Sequence, residues 1–498
     1  MANTRTAPAV RVGTIHVLPK PFGIGAIIGG TASLAASFVG LLLDRDDALE
    51  EMMVLLLVGA GAIVGGRAIG RFQDRPNRIS PPMAMSMLVA GWMGAALVAL
   101  IAFALSGEFE SIPSAFFEAV SATTTTGFTT IVDPQELTHA MRFLRVALPW
   151  LCGLGVLIAG MGVLPVAIAG IELSPSRGLR RSERLVTTTR QAVRNIFGMY
   201  LLLTAGLLIG FLLGGMGPFD ALSYALSTAS TGGMSNHAAS IGHFDSDFID
   251  WVATIGMVAA GGSLVIVWAA LRGAWDSVLH STELRLYLSL LVLGFLGVWL
   301  VGDNLSVTDA AFSVSSMLST TGLRSGNWAA GGSFTQAILL IGAGIGAMTG
   351  SVGSGFRLAR VVRVALEVRR SLRGLLYPHR IGVIRIDGEA TPEPSLERTY
   401  GYLWAHLITL TTVAVLVNVS SLDLMGTLTF SLSLISNVGV VLTEDNIAAA
   451  VVLDRWSQTV AIVGMVLGRL SIYPVLVTVA GFGRWLGRFR PHRSIGGT

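Results

Sequence analysis

The chain has 498 residues, 52% of them hydrophobic and 13% charged, with a formal net charge of +4 and a mean hydropathy of +0.68. Soluble domains carry about 25% charged residues, so this composition excludes one and places the chain in a bilayer. Its pI of about 9.6 reflects arginines gathered in short loops between apolar runs, which reads as membrane topology, with nucleic-acid binding a poor second reading.

Windows of about 20 apolar residues predict spans in chain order. The first two, Phe22 to Leu43 and Met53 to Ile69, form an N-terminal pair within residues 1–80. The first run is too long for a signal peptide and lacks a small-residue cleavage site, so it is expected to stay in the mature chain. Eight more spans are expected: Met83 to Leu105, Leu148 to Ile171, Ile196 to Leu213, Trp251 to Leu271, Tyr287 to Val301, Ala337 to Arg357, Tyr400 to Val419 and Ser457 to Val479. Arginine-rich loops stay on the cytoplasmic side. Those with Arg67, Arg71, Arg75 and Arg78, with Arg177 to Arg194, and from Arg357 to Arg385 therefore fall inside, as do both termini. The acidic stretches Asp44 to Asp47 and Asp245 to Asp250 fall outside. Cys152 is the single cysteine, which rules out an internal disulfide and reads as helix packing.

Between paired spans lie apolar stretches too short to cross: Pro113 to Thr126, Pro218 to Thr231, Thr308 to Thr321 and Leu424 to Val438. Each predicts a helix of about ten residues. Helix-opening signals precede them, namely Ser111 with Pro113, Pro218 with Asp220, Thr308 with Asp309, and Asp423. Each ends in a small-residue segment: Thr124-Thr125-Thr126-Gly127-Phe128, Ser230-Thr231-Gly232-Gly233-Met234, Ser319-Thr320-Thr321-Gly322-Leu323 and Ser436-Asn437-Val438-Gly439-Val440. Gly127, Gly232, Gly322 and Gly439 lie 105, 90 and 117 residues apart, so a unit of roughly one hundred residues recurs four times. The unit reads span, half-helix, loop, span. Non-helical backbone survives at membrane depth only where protein or water satisfies it, as in a re-entrant loop. A half-helix running inward directs the negative end of its dipole at the membrane centre and favours a cation there. Glycine lets the following carbonyls face one axis without an intervening side chain. Four such loops can form a ring of carbonyls that replaces the water shell of a potassium-sized ion.

These segments resemble the filters of the Trk, Ktr and HKT superfamily of potassium transporters, specifically the TrkH type, over nearly the whole chain. The resemblance implies an all-α membrane protein with four tandem span, half-helix, filter-loop, span units around one pseudo-fourfold pore. The units are expected at residues 81–175, 190–275, 283–375 and 396–498, after the extra N-terminal pair of helices. The family pattern implies a potassium filter of Thr126, Gly127, Thr231, Gly232, Thr321, Gly322, Val438 and Gly439. The run Gly342 to Gly355 is similar to the family's intramembrane gate loop, with Gly346, Gly350, Gly353 and Gly355 as gate positions. Interior glycines each cost up to about 1 kcal/mol in a helix relative to alanine, so this run cannot be stiff throughout. Arg469 stands where the family places an arginine beneath the filter, although Ser471 follows where relatives often have glutamate, and Asn437-Val438 departs from the Ser/Thr pattern.

The resemblance further implies potassium uptake into a bacterial cell across its inner membrane, a homodimer with one pore per protomer, and a cytosolic nucleotide-binding ring of the TrkA kind. Potassium would be cargo, and no cofactor is expected on this chain, which shows no phosphate-binding glycine fingerprint. The alternative within the same fold is a less selective potassium/sodium transporter or a cation symporter. An intramembrane enzyme would need acidic pairs or a nucleophile with a base inside the spans, and none is evident. Glu118 reads as hydrogen-bonded or as negative potential at the outer mouth, His237 and His243 read as surface residues, and the Arg357 to Arg373 stripe meets anionic lipid or a regulatory protein.

Overall fold

The structure is a computed structural model that describes residues 18–44, 49–72, 80–162, 189–302, 305–326, 331–377, 383–387, 389–390, 393–417, 424–442 and 453–487. The expected loop arginines Arg75, Arg78 and Arg177 to Arg184, the acidic residues Asp46 and Asp47, and both chain ends lie outside these residues.

Apolar composition without water dictates helices, because every backbone polar group must find its partner inside the segment. The N-terminal pair is α1 (Pro19–Leu43) and α2 (Leu49–Gly70). Next come α3 (Pro81–Ser106), the short α4 (Ile112–Thr123), α5 (His139–Gly162) and α6 (Thr189–Leu213). The short α7 (Pro218–Ala229) leads to α8 (Asp247–Gly261), α9 (Leu264–Leu271), α10 (Trp275–His280) and α11 (Thr282–Val301). The third short helix, α12 (Val307–Leu318), precedes α13 (Gly332–Ile345) and α14 (Leu358–Leu376). After a two-stranded hairpin, β1 (Arg385–Ile386) with β2 (Glu389–Ala390), the chain ends in α15 (Glu393–Leu416), the short α16 (Leu424–Ser436), α17 (Arg455–Leu470) and α18 (Ile472–Gly487).

Among the described residues, seven helices are long and apolar enough to cross a membrane, or nine if each of two bent pairs is one span. The pairs are α8 with α9, bent by 101°, and α17 with α18, bent by 110°. The chain is a multi-pass membrane protein. Three expected spans are not continuous helices: Trp251 to Leu271 and Ser457 to Val479 are broken at those bends, and Ala337 to Arg357 is broken because α13 stops at Ile345 and Gly346 turns left-handed at φ +75°. The expected span from Leu148 begins nine residues earlier, at His139.

Small residues set the approach of the N-terminal helices. A Cβ on Gly30 would sit 2.7 Å from the Gly59 carbonyl oxygen, and one on Gly23 would run into the Gly66 carbonyl, so α1 and α2 touch backbone to backbone. The Asp44 carboxylate at the end of α1 accepts from the His139 and Ala140 amides at 2.9 and 3.0 Å. It thereby satisfies free donors, and the positive dipole end, at the start of α5.

The four short helices form the centre. Ser111 caps α4 by accepting from the Ser114 amide, and Ser306 with Asp309 makes a reciprocal capping box on α12. Pro218 opens α7 behind Gly217. Each short helix then buries its C-terminal half, as Ala119, Ala122, Ala225, Ala229, Met317, Leu318, Phe430 and Leu434 show, so its final carbonyls end inside the protein.

Candidate functional site

Each short helix ends in the same hydrogen-bonded turn. The amides of Thr126, Gly232, Thr321 and Val438 donate to the carbonyls of Ser121, Ser227, Ser316 and Ser433, five residues back, at 2.9 to 3.0 Å. One residue earlier, Thr125, Thr231, Thr320 and Asn437 donate to carbonyls three residues back. This is the Schellman termination, whose left-handed residue is usually glycine. Here that position holds Thr125, Thr231, Thr320 and Asn437, at φ between +48° and +58°. A β-branched residue there is a true outlier, and such strain costs on the order of 1–3 kcal/mol per residue. Its repetition three times as threonine and once as asparagine marks a conformation that the surroundings impose. Two residues on, Gly127, Gly233, Gly322 and Gly439 all take positive φ again.

The equivalence corrects the register expected for the second loop. Gly232 occupies the place of Thr126, Thr321 and Val438, while Gly233 is the counterpart of Gly127, Gly322 and Gly439; Thr231 matches Thr125. With two adjacent glycines, the sequence offered no means of choosing, whereas the five-residue bond from Gly232 to Ser227 does.

The loops meet in cyclic order. A Cβ on Gly127 would fall 2.8 Å from the Gly232 carbonyl oxygen, and one on Gly233 would fall 2.5 Å from that of Thr321. A Cβ on Gly322 would overlap the Val438 carbonyl oxygen, and one on Gly439 that of Thr126. Each glycine is thus pressed against the carbonyl of the next unit, first to second, second to third, third to fourth and fourth to first. The circuit closes, which four unrelated helix contacts would not do. Side-chain bonds brace it: Asn437 Nδ2 donates to Thr126 Oγ1 at 2.9 Å, while Thr126 and Thr321 share short hydroxyl contacts of 2.6 Å with Thr124 and Ser319.

Behind the first two loops lies an ion pair that sequence reasoning missed. Glu118 in α4 and Arg145 in α5 are both essentially unexposed, with Arg145 Nε donating to Glu118 Oε1 at 2.6 Å. Arg145 also donates to the Ser235 carbonyl at 3.2 Å and to Thr129 Oγ1 at 3.0 Å, and the Thr130 amide reaches Glu118 at 3.4 Å. Glu118 therefore faces protein and ties down the segments following two loops; it does not line a mouth. At the same helix position in the second unit, the Tyr224 hydroxyl lies 2.7 Å from Ser235 Oγ and donates to the Ser240 carbonyl. His237, expected at the surface, is buried between Gln135 and Asp220 and stacks on exposed His243 with ring centroids 3.8 Å apart. Hydrogen bonds from His237 and Asn236 hold the Asp220 carboxyl below its ordinary range, outweighing the upward push of burial.

The glycine-rich run forms a buried, non-helical loop from Gly346 to Arg357 that touches all four units. Gly350 and Gly355, like Gly346, take positive φ. A Cβ on Gly353 would lie 2.6 Å from the Ser319 carbonyl and 3.1 Å from Thr320 Oγ1, so this residue sits directly against the third loop. The Ser354 amide donates to Thr320 Oγ1 at 2.8 Å. The Met348 amide donates to the Gly261 carbonyl, and the Gly350 carbonyl accepts from the Leu264 amide, which is why the second unit's span breaks between α8 and α9. Val352 packs against Gly153 of α5. From the fourth unit, Arg469 Nη1 donates to the Val352 carbonyl at 2.8 Å and to Ser354 Oγ at 2.9 Å. Arg469 is buried, its Nε and Nη2 have no partner among the described residues, and no carboxylate pairs with it there. A second missed residue is Glu283 in the first turn of α11, whose Oε1 accepts from the Thr349 amide at 2.6 Å. Only the fold brings it to a loop 66 residues away.

A closed circuit of backbone carbonyls, at the buried ends of four converging half-helices and packed against a buried, glycine-rich loop, defines a multi-pass membrane protein of four related units. Comparison with known proteins narrows the class. The family model described as TrkH, a cation transport protein, matches residues 103–301 and 277–482, and the chain belongs to that family. The Trk system potassium uptake protein TrkH of Salmonella typhimurium is 29% identical over 381 residues, covering 74% of this chain and 78% of its own. The Trk system potassium uptake protein TrkI of Halomonas elongata is 26% identical over 458 residues, covering 89% and 92%. The crystal structure of the potassium transporter TrkH from Vibrio parahaemolyticus shares the fold, with a TM-score of 0.82 at 24% identity over 93% of this chain and 98% of that one.

Proposed function

We propose that this chain takes up potassium through a filter formed by the carbonyls of Thr126, Gly232, Thr321 and Val438 with the adjoining glycines. The observation that carries this reading is the closed contact order of the four loops, each glycine against the next unit's carbonyl. Carbonyl dipoles at a fixed spacing replace the hydration shell of a permeating cation, and four half-helix C-termini add negative potential at the same place. The ion descends the membrane potential, which contributes about 2.3 kcal/mol per charge for each 100 mV.

The loop from Gly346 to Arg357 acts as the gate beneath the filter. Arg469 and Glu283 hold it, and the positive charge of Arg469 opposes cation passage while the loop lies across the axis. Opening requires the bonds to Val352, Ser354 and Thr349 to be exchanged together. The arginine-rich face and both termini lie in the cytoplasm of a bacterial cell, following the charge rule for short loops. Two copies form a homodimer with one pore each, and a cytosolic TrkA-like ring carries the nucleotide-binding site.

The test is growth at low potassium, and rubidium uptake, in a host stripped of its own potassium transporters. Rescue that fails on replacing Gly322 with aspartate supports the reading. Absence of rescue by well-expressed, membrane-inserted protein contradicts it.

A further inference from the structure

A cleft lies between the C-terminal half of α14 and the β1–β2 hairpin, away from the filter, with a volume of 620 Å³. Arg369, Arg370, Arg373 and Arg385 line it, together with Ser371 and a single carboxylate, Glu367. Glu367 is engaged by Arg370 at 3.6 Å. Arg369, Arg373 and Arg385 have no carboxylate within ion-pair distance among the described residues, and all three are exposed. Guanidinium groups stay charged at any physiological pH and present forked donors that match phosphate oxygens. Three like charges around one concavity, with no carboxylate set against them among the described residues, repel one another and favour an anion between them.

We propose that this cleft binds a phosphate-bearing anion, supplied either as a soluble phosphate compound or as an anionic lipid headgroup. Its volume suits a small ligand, whose sites span about 300–1,000 Å³, better than the flatter face of a docked protein. The position gives the ligand leverage. α14 is one continuous helix of 19 residues whose first turn grows out of the glycine-rich loop, with the Arg357 amide on the Ile345 carbonyl and the Leu358 amide on that of Ala347. Near that end Arg360 packs 3.7 Å over the Tyr402 ring and donates to the Phe356 carbonyl. Holding the far end of the helix therefore biases the loop at its near end. This coupling rests on the reading of that loop as a gate, whereas binding itself does not.

The test uses the full chain in neutral detergent. Inorganic pyrophosphate is titrated calorimetrically, and retained phosphatidylglycerol is counted by native mass spectrometry. The variant Arg369→Gln/Arg373→Gln/Arg385→Gln is compared with Arg455→Gln, an exposed arginine on another helix. Pyrophosphate binding that weakens at least tenfold in the triple variant and not in Arg455→Gln supports a soluble ligand; phosphatidylglycerol adducts lost in the triple variant alone support a headgroup. Neither ligand bound, or equal binding by wild type and triple variant, overturns the proposal and leaves the arginines as a protein-docking face. Both readouts are independent of flux, so a chain that transports rubidium normally without binding either probe refutes the cleft and spares the pore.

Discussion

Alanine at Gly233 and alanine at Gly232 should have unequal effects, and the inequality reports the register of the second loop. Gly233 holds φ +66°, and a Cβ there would sit 2.5 Å from the Thr321 carbonyl oxygen, a backbone atom of the neighbouring unit. The left-handed conformation costs an L-residue roughly 1–2 kcal/mol, and the carbonyl must also retreat from the added carbon. Because about 1.4 kcal/mol is a factor of ten, Gly233→Ala should reduce potassium-over-sodium discrimination roughly tenfold. Gly232 lies outside the left-handed region, and its counterparts Thr126, Thr321 and Val438 all carry side chains. A Cβ on Gly232 would press on Pro149 Cβ at 2.7 Å and Ser230 Oγ at 2.9 Å, so the strain falls on α5 and on its own loop and not on a carbonyl of a neighbouring loop. Gly232→Ala should therefore change discrimination by less than about threefold, well under that factor of ten. Reversal potentials in proteoliposomes with mixed potassium and sodium measure both. Wild-type discrimination in Gly233→Ala, with loss in Gly232→Ala, would refute the structural register.

Three further outcomes follow from the site. Breaking the buried pair with Arg145→Met or Glu118→Gln should destabilise the protein by about 3–5 kcal/mol, read as a lower thermal midpoint, and the double variant should recover part of the loss; three equal midpoints would show that the pair braces nothing. Glu283→Gln should weaken the hold on Thr349 and raise basal rubidium leak severalfold with normal expression, whereas unchanged leak would remove Glu283 from the gate. Arg469→Gln should raise conductance while leaving potassium-over-sodium discrimination near wild type, and a variant with wild-type conductance would show that the guanidinium does not obstruct the path.

What the sequence made legible was local. Ser111, Pro218 and Asp309 open short helices in the ordinary way, and apolar stretches of that length are too short to cross, so the four half-helices are legible in the sequence. The register of the second loop was not legible, since threonine avoids left-handed backbone and glycine takes it readily. On those preferences Thr231 is the last residue expected at the helix-terminating position it occupies. Hydropathy averaging likewise hid the end of α13, because Ile345, Met348 and Val352 keep the window apolar across Gly346. The long-range pairs were the least accessible. Glu118 and Arg145 lie 27 residues apart, and Arg469 meets Val352 across 117, distances over which no periodicity in the chain carries a signal.

The most direct measurement is an anomalous difference map from crystals grown in thallium or rubidium. Peaks should line up on one axis, within coordination distance of the Thr126, Gly232, Thr321 and Val438 carbonyls together. Ions found elsewhere, or held by fewer than all four loops, would contradict a single filter built from four converging turns.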